Sequence, residues 1–421
     1  MESSPPLNST TAGRSPGASE SDDIVDSRLT APVGGGNSRD VREIAALFLR
    51  LGCTAFGGPA AHVTLMESEL VAKRGWLTRA EFLDLLGVAQ VLPGPNSTEL
   101  AVHVGHTRGG WRGGMVAGLC FVVPSVLLVW LLASVAAAPA LRPVVVAVLR
   151  WLAPVVVAVL CEAQWKFGSQ AWQRPFARAV MPLTAIVAML VPSDGLVLLF
   201  GAAMSVLLNS GRGRSAGVAM GTMGAMIAFF ATGLLLAQTT AVSPGPGTGS
   251  IFLYFLKAGA SVFGSGYVLL AYLQRDLVDA RHWLSLEALT QASALAQITP
   301  GPLFATATAA GYVIGGHTGA LVATIGIFAP AFVSVAVSAP IRRLIQRSPA
   351  VRAALDGVVV ASVALLGRAL VGFATPLGAS QWLVCLLASL LLFIGRVQAT
   401  LLLVGAVLAG IVASILPFTL P

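Results

Sequence analysis

The sequence predicts an all-α integral membrane protein of about thirteen transmembrane segments, arranged as two inverted-topology repeats whose helices are broken at PGP, FGGP and FGSG. Three observations carry this prediction. Hydrophobic residues fill 56% of the 421 positions and charged residues only 10%, with a mean hydropathy of +0.82, far more apolar than a soluble domain of this length. Runs such as 113 to 138, 144 to 163, 217 to 237 and 401 to 417 are each long enough to cross a ~30 Å hydrocarbon core as a helix. They are apolar all round, which excludes the period-two pattern of a barrel. The third observation is a duplication.

FLRLGCTAFGGP, starting at Phe48, falls on FLKAGASVFGSG, starting at Phe255, at a constant offset of 207. In the same register Arg74, Trp76 and Leu77 meet Arg281, Trp283 and Leu284, Gln90 meets Gln297, and Pro93-Gly94-Pro95 meets Pro300-Gly301-Pro302. After a one-residue slip, Gly105, Gly109, Gly113 and Pro124 meet Gly311, Gly315, Gly319 and Pro330.

Each half reads as six apolar segments. In the first they are 42–66, 81–107 (interrupted by PGP), 113–138, 144–165, 177–192 and 195–209; in the second, 251–273, 286–314, 319–340, 353–375, 381–394 and 398–418. A further segment, 216–237, has no partner and links the halves. Six crossings and a linker make an odd number, so the second half enters the membrane upside down. With the N-terminus inside, cytoplasmic loops hold Arg108, Arg112, Lys166, Arg174, Arg178, Arg275 and Arg281 among others, while Lys73, Arg74, Arg79 and Arg142 fall outside, in keeping with the positive-inside rule. Were the PGP segments re-entrant hairpins, the halves would be parallel; the charges favour the crossing arrangement. The organisation expected is a disordered cytoplasmic tail (1–40), a first repeat (41–212), a linking helix and loop (213–250) and a second repeat (251–421). The tail is rich in Ser, Gly and Pro and lacks the apolar core of a signal peptide. Cys53, Cys120, Cys161 and Cys385 are scattered without C-x-x-C spacing and read as small buried hydrophobes.

The breaks carry the chemistry. In AQVLPGPNSTEL (89–100) and AQITPGPLFATA (296–307), Pro93, Pro95, Pro300 and Pro302 each remove a backbone donor, and Pro59 does so after FGG. The freed carbonyls and amides are tolerable in a membrane only inside protein or beside a wet cavity. A helix restarting at Asn96-Ser97-Thr98 offers amide, hydroxyl and free N–H groups to an anion. Glycines 57, 58, 94, 264 and 301 let backbone approach a ligand closely, and Phe56, Gln90, Ser265, Gln297 and Thr299 lie beside them. Arg50 and Lys257, superposed by the repeat, are cations within apolar segments and so candidates for binding charge, or else snorkel to an interface. Glu99, His103 and His106 share one helical face and form a candidate proton relay; the second half has Thr306 and Ala310 where Glu99 and His103 stand. Glu67, Glu69, Gln274 and Asp276 read as solvated loops or a gate, and Trp76 and Trp283 as interfacial anchors. No metal site, cofactor or catalytic set is indicated: G-x-S-x-G, the Walker lysine loop and H-E-x-x-H are missing. These readings give a small-anion transporter; an anion channel is the competing class.

FGGP, the Trp76 loop, the duplicated PGP and FVVPS around Pro124 resemble the chromate ion transporter family in its long, two-domain form, over roughly residues 42–418. The resemblance implies secondary transport of chromate out of the cell across the inner or plasma membrane, conferring resistance, driven by the proton gradient or by exchange. Sulfate, the isosteric dianion, is the natural competitor, and its uptake is the alternative function. The partners expected are the oxyanion, the lipid bilayer and a second copy of the chain as a homodimer; nucleic acid is not among them. FGSG departs from FGGP at Ser265 and Gly266, so the two halves are not expected to take part equally.

Overall fold

A computed structural model describes residues 38–56, 58–191, 193–210, 246–263 and 266–415, all helical or in short connections. The linking segment expected at 216–237 lies outside them. Seven helices of the first half are matched one for one in the second. The first seven are α1 (Ser38–Thr54), α2 (Gly58–Glu67, continuing as a π-helix, Ser68–Lys73), α3 (Arg79–Val91), α4 (Asn96–Ala136), α5 (Arg142–Trp172), α6 (Ala177–Leu190) and α7 (Asp194–Ser210). Their counterparts are α8 (Thr248–Gly259), α9 (Gly266–Leu273, with the π-helix Gln274–Ala280), α10 (Leu286–Ile298), α11 (Thr306–Arg347), α12 (Pro349–Ala374), α13 (Ala379–Phe393) and α14 (Ala399–Ile415).

α4 is two antiparallel arms. At Gly109 (φ −131°, ψ 19°) and Gly110 (φ 59°, ψ −155°) the backbone leaves the helical region. It folds back so tightly that a Cβ on Gly105 would lie 2.4 Å from the Gly113 carbonyl oxygen. α11 repeats the turn at Gly315 (φ −139°, ψ 23°) and Gly316 (φ 61°, ψ −147°). Glycine at 110 and 316 meets a positive φ that side-chain-bearing residues rarely adopt.

The first two segments of each half fold back on themselves. The Arg108 guanidinium lies 4.2 Å from the Trp76 ring centroid and pairs with Asp40 (3.5 Å) and Glu43 (3.2 Å) at the start of α1. The loop after α2 and the end of the 96–108 arm therefore both return to the face where α1 begins. α1 with α2, and α3 with the 96–108 arm, are re-entrant hairpins whose tips are the breaks. Length is the physical reason: at 1.5 Å per residue, the 13 residues of α3 span about 20 Å, short of a ~30 Å core. Helices this short do not by themselves account for the predicted thirteen crossings. Four stretches among the described residues are long and apolar enough to cross: 96–136, through its second arm, 139–172, 303–336 and 349–374. Lys73, Arg74 and Arg79, expected outside, share the face of Asp40 and Arg108. Arg281, stacked on Trp283 and Tyr254 near the start of α8, moves to the opposite face.

Matched helices of the two halves run antiparallel. Gly118 packs against the Phe332 ring, whereas Trp130 Nε1 donates to His317 Nδ1 at 3.0 Å, so the order along 111–136 is reversed along 317–347. On α5 and α12, Gly168 lies by Val363 and Gln164 by Gly367, again reversed. Re-entrant hairpins therefore do not make the halves parallel, because each half contains two of them. The outer helices are exchanged: α7 packs on α12 at a Gly201–Gly357 backbone contact, and α14 on α5 where Gly410 meets Val148. Asp194 of α7 is buried and paired with Arg368 and Arg275 of the second half.

Candidate functional site

The breaks of the two halves are stitched to each other. Gly94 N–H donates to the Val262 carbonyl at 2.8 Å and Gly301 N–H to the Ala55 carbonyl at 2.9 Å; the repeat superposes both donors and both acceptors. The Ala55 oxygen, released where α1 ends, also accepts from His62 Nε2 at 3.1 Å. Backbone groups freed by proline are thus largely satisfied inside protein, as a low-dielectric site demands. Both glycines have positive φ (144° and 104°). A Cβ at Gly94 would lie 2.5 Å from Glu99 Oε1, and one at Gly301 2.6 Å from Ser125 Cβ.

Beside the Gly94 crossing is a cavity of about 280 Å³. Gln90 and Asn96-Ser97 of the second hairpin form one wall. Phe167, Gln170 and Arg174 of α5 and its C-terminal turn form another, and Val359, Ser362 and Leu366 of α12 close it from the other half. At the Gly301 crossing a pocket of about 20 Å³ lies among Gly58, Tyr267, Gln297, Thr299 and Thr400. The first helix turn differs likewise. Pro95 O accepts from Thr98 and Glu99, at 2.8 and 2.9 Å, leaving the Asn96 and Ser97 amides at the start of the helix. Leu303–Ala305 instead forms a 3-10 turn with buried apolar side chains.

Glu99 is fully buried, and neither carboxyl oxygen has a hydrogen-bond partner among the described residues. One turn on, His103 is buried with Nε2 unpartnered; half-buried His106 meets Trp111 edge-on at 5.3 Å. The row leads from the Gly94 break to the glycine turn at the face where α1 begins. The Thr98 hydroxyl is also buried without a partner.

The predicted residues divide. Gln90, Asn96 and Ser97 line the larger cavity; Gly58, Gln297, Thr299 and Gly301 line the smaller. Gly94 braces the crossing between Pro93 and Pro95, as Gly301 does between Pro300 and Pro302, and Pro59 opens α2. Gly57, Gly264 and Ser265 lie outside the described residues. Arg50 and Lys257 are both exposed and line neither cavity. Arg50 pairs at 3.7 Å with Glu69, on the π-helix of the same hairpin. Glu69 is buried rather than solvated, and its hydrogen bond from Lys73, with Arg50 and Arg74 nearby, holds its carboxyl below the usual range. Phe56 is 40% exposed. The cation that does line the larger cavity is Arg174, which the sequence places in a loop; Gln170, Ser362 and His62 were equally unsignalled, because nothing local marks a residue whose neighbours come from another repeat.

Two copies of one helical unit, interlocked through their broken hairpins around a cavity, define an all-α membrane transporter. Within that class the chain belongs to the chromate transporter family, whose family model matches residues 42–208 and 249–411. It is 30% identical over 382 residues to a chromate transport protein of Cupriavidus metallidurans, covering 89% of this chain and 93% of that one. It is 30% identical over 346 residues to a chromate transport protein of Pseudomonas aeruginosa, covering 79% and 80%. An uncharacterized transporter of Methanocaldococcus jannaschii is 23% identical over 381 residues. No solved structure matches the chain.

Proposed function

We propose that the protein is a secondary transporter that carries chromate out of the cell across the inner or plasma membrane, with its N-terminus in the cytoplasm and its halves inverted across the bilayer. The observation that carries this reading is the cavity at the Gly94 break. Amide, hydroxyl and guanidinium groups converge there, and among the described residues the lining holds no carboxylate, the chemistry a tetrahedral oxyanion calls for. The antiparallel pairing of matched helices supports inversion, and the relatives' names support chromate. Glu99, with His103 and His106 behind it, is assigned to the coupled proton: an unpartnered buried carboxyl beside the hinge is suited to exchange a proton as the hinge moves.

The test is flux in proteoliposomes holding the full chain. Chromate loaded on one side should move against its gradient when a pH gradient is imposed, at carrier rates, and sulfate should compete. Uphill movement driven only by a counter-gradient of sulfate would replace proton coupling by exchange. Inward sulfate transport under the same pH gradient would reverse the assigned direction, and currents far above carrier turnover would make the protein a channel.

A further inference from the structure

We propose that Arg174 is the residue that recognises the charge of the oxyanion, and that Asp356 is an internal anion which the substrate displaces to reach it. The proposal rests on the oxyanion reading above and names the counter-charge of that site.

Among the described residues, Arg174 is the sole charged residue lining the 280 Å³ cavity. A doubly charged anion entering an apolar, partly dehydrated space without a cation would lose far more hydration than neutral donors return. Arg50 and Lys257 are turned out of the site, so the charge must come from elsewhere. Arg174 sits in the turn that ends α5, its backbone N–H held at 2.9 Å by the Ala171 carbonyl. From there it reaches across to the other half, where Nη1 donates to Asp356 Oδ1 on α12. Asp356 itself is not part of the cavity lining. Among the described residues this contact uses one nitrogen of a guanidinium that carries five N–H donors. The remaining donors are free to grip an anion whose other oxygens meet Gln90, Asn96, Ser97 and Gln170.

Asp356 gives the pair a second property. With the cavity empty its carboxylate neutralises Arg174, and an arriving oxyanion replaces one anion by another, so the guanidinium is never left uncompensated. The second half has no such device. The position superposed on Asp356, at offset 206, is Arg150, whose carbonyl accepts from Gln381 Nε2 at 3.1 Å. Recognition by charge is therefore one-sided.

A pair that merely clamps α5 to α12 would explain the contact equally well, and charge exchange separates the two roles. The full-length protein, purified and reconstituted, is titrated with radiolabelled chromate and with sulfate. R174Q should weaken binding of both by about tenfold or more, the range of a lost hydrogen bond to a charged group, and R174K by less. D356N, which removes the competitor, should tighten binding severalfold. The double variant R174D/D356R restores an ion pair yet should still bind neither anion. Recovery of wild-type affinity in the double variant would make the pair a clamp, and wild-type affinity in a monodisperse R174Q protein would remove Arg174 from the site. Should R174Q fail to fold, D356N decides: weaker binding than wild type overturns the displacement. A wild-type protein that binds neither chromate nor sulfate would instead sink the oxyanion reading itself.

Discussion

The two PGP breaks, AQVLPGPNSTEL and AQITPGPLFATA, share a backbone and differ in everything hung on it. Gly94 and Gly301 make the same crossed hydrogen bond into the opposite half. Yet the first break opens on a cavity of about 280 Å³ and the second on about 20 Å³. Asn96, Ser97, Thr98 and Glu99 of the first are matched by Leu303, Phe304, Ala305 and Thr306 of the second, where a buried apolar 3-10 turn replaces the polar helix start. Duplication supplied the scaffold twice, and side-chain divergence left the polar chemistry in one copy. Under the carrier function proposed above, that asymmetry would separate what both halves do, which is to move, from what one half does, which is to bind.

The largest expected effects fall where the halves are alike. Gly94→Val and Gly301→Val should each lower transport at least tenfold or abolish folded protein. Both place a branched side chain at a positive φ, costing about 1–3 kcal/mol in backbone strain before any clash. A large loss from only one would break the symmetry of the crossing. Next, Glu99→Gln should flatten the pH dependence of chromate flux while leaving chromate binding within about threefold of wild type, a shift under 1 kcal/mol; the matched Thr306→Val should leave the pH profile unchanged. Ser97→Ala combined with Gln90→Ala should raise the KM for chromate by about tenfold, on the scale of about 1 kcal/mol for each neutral hydrogen bond lost, against little change for Leu303→Ala. Equal losses from both sets would show that backbone amides, not these side chains, hold the anion. The smallest effect is expected at Arg50→Ala and Lys257→Ala. Exposed cations of this kind contribute about 0–1 kcal/mol, so flux should stay within a fewfold of wild type. Topology can be checked in the same proteins: a cysteine at Thr78 should label from the side that labels Thr107, and one at Ser285 from the opposite side.

Much of the architecture was legible because it rests on local chemistry. The positions of the breaks follow from proline and glycine, the helical class from uniform apolarity, and the pairing of the halves from a register that survives at offset 207. The crossing count was not legible. An apolar run such as 42–66 reads the same whether its two arms are stacked end to end or folded side by side, and the pair Gly109–Gly110 gives no hint in sequence that it reverses a helix. For the same reason Arg74 and Arg108, which stack on the same Trp76 ring, read as lying on opposite faces. Arg50 illustrates another limit: nothing local in an apolar segment shows that its cation pairs with Glu69, nineteen positions on.

What the sequence by itself determined is the inventory: a membrane-embedded, duplicated chain with proline–glycine breaks at matched places and polar groups concentrated after the first PGP. Only the tertiary structure decided that the breaks are tips of re-entrant hairpins, that each is stitched to the other half, and that the cavity's charge is Arg174. The physical reason is one of range. Backbone breaking, hydropathy and helix capping act over a few residues and are written in order along the chain. Crossed hydrogen bonds such as Gly94 to Val262 and the wall shared by Asn96, Arg174 and Ser362 join groups that only packing brings within reach.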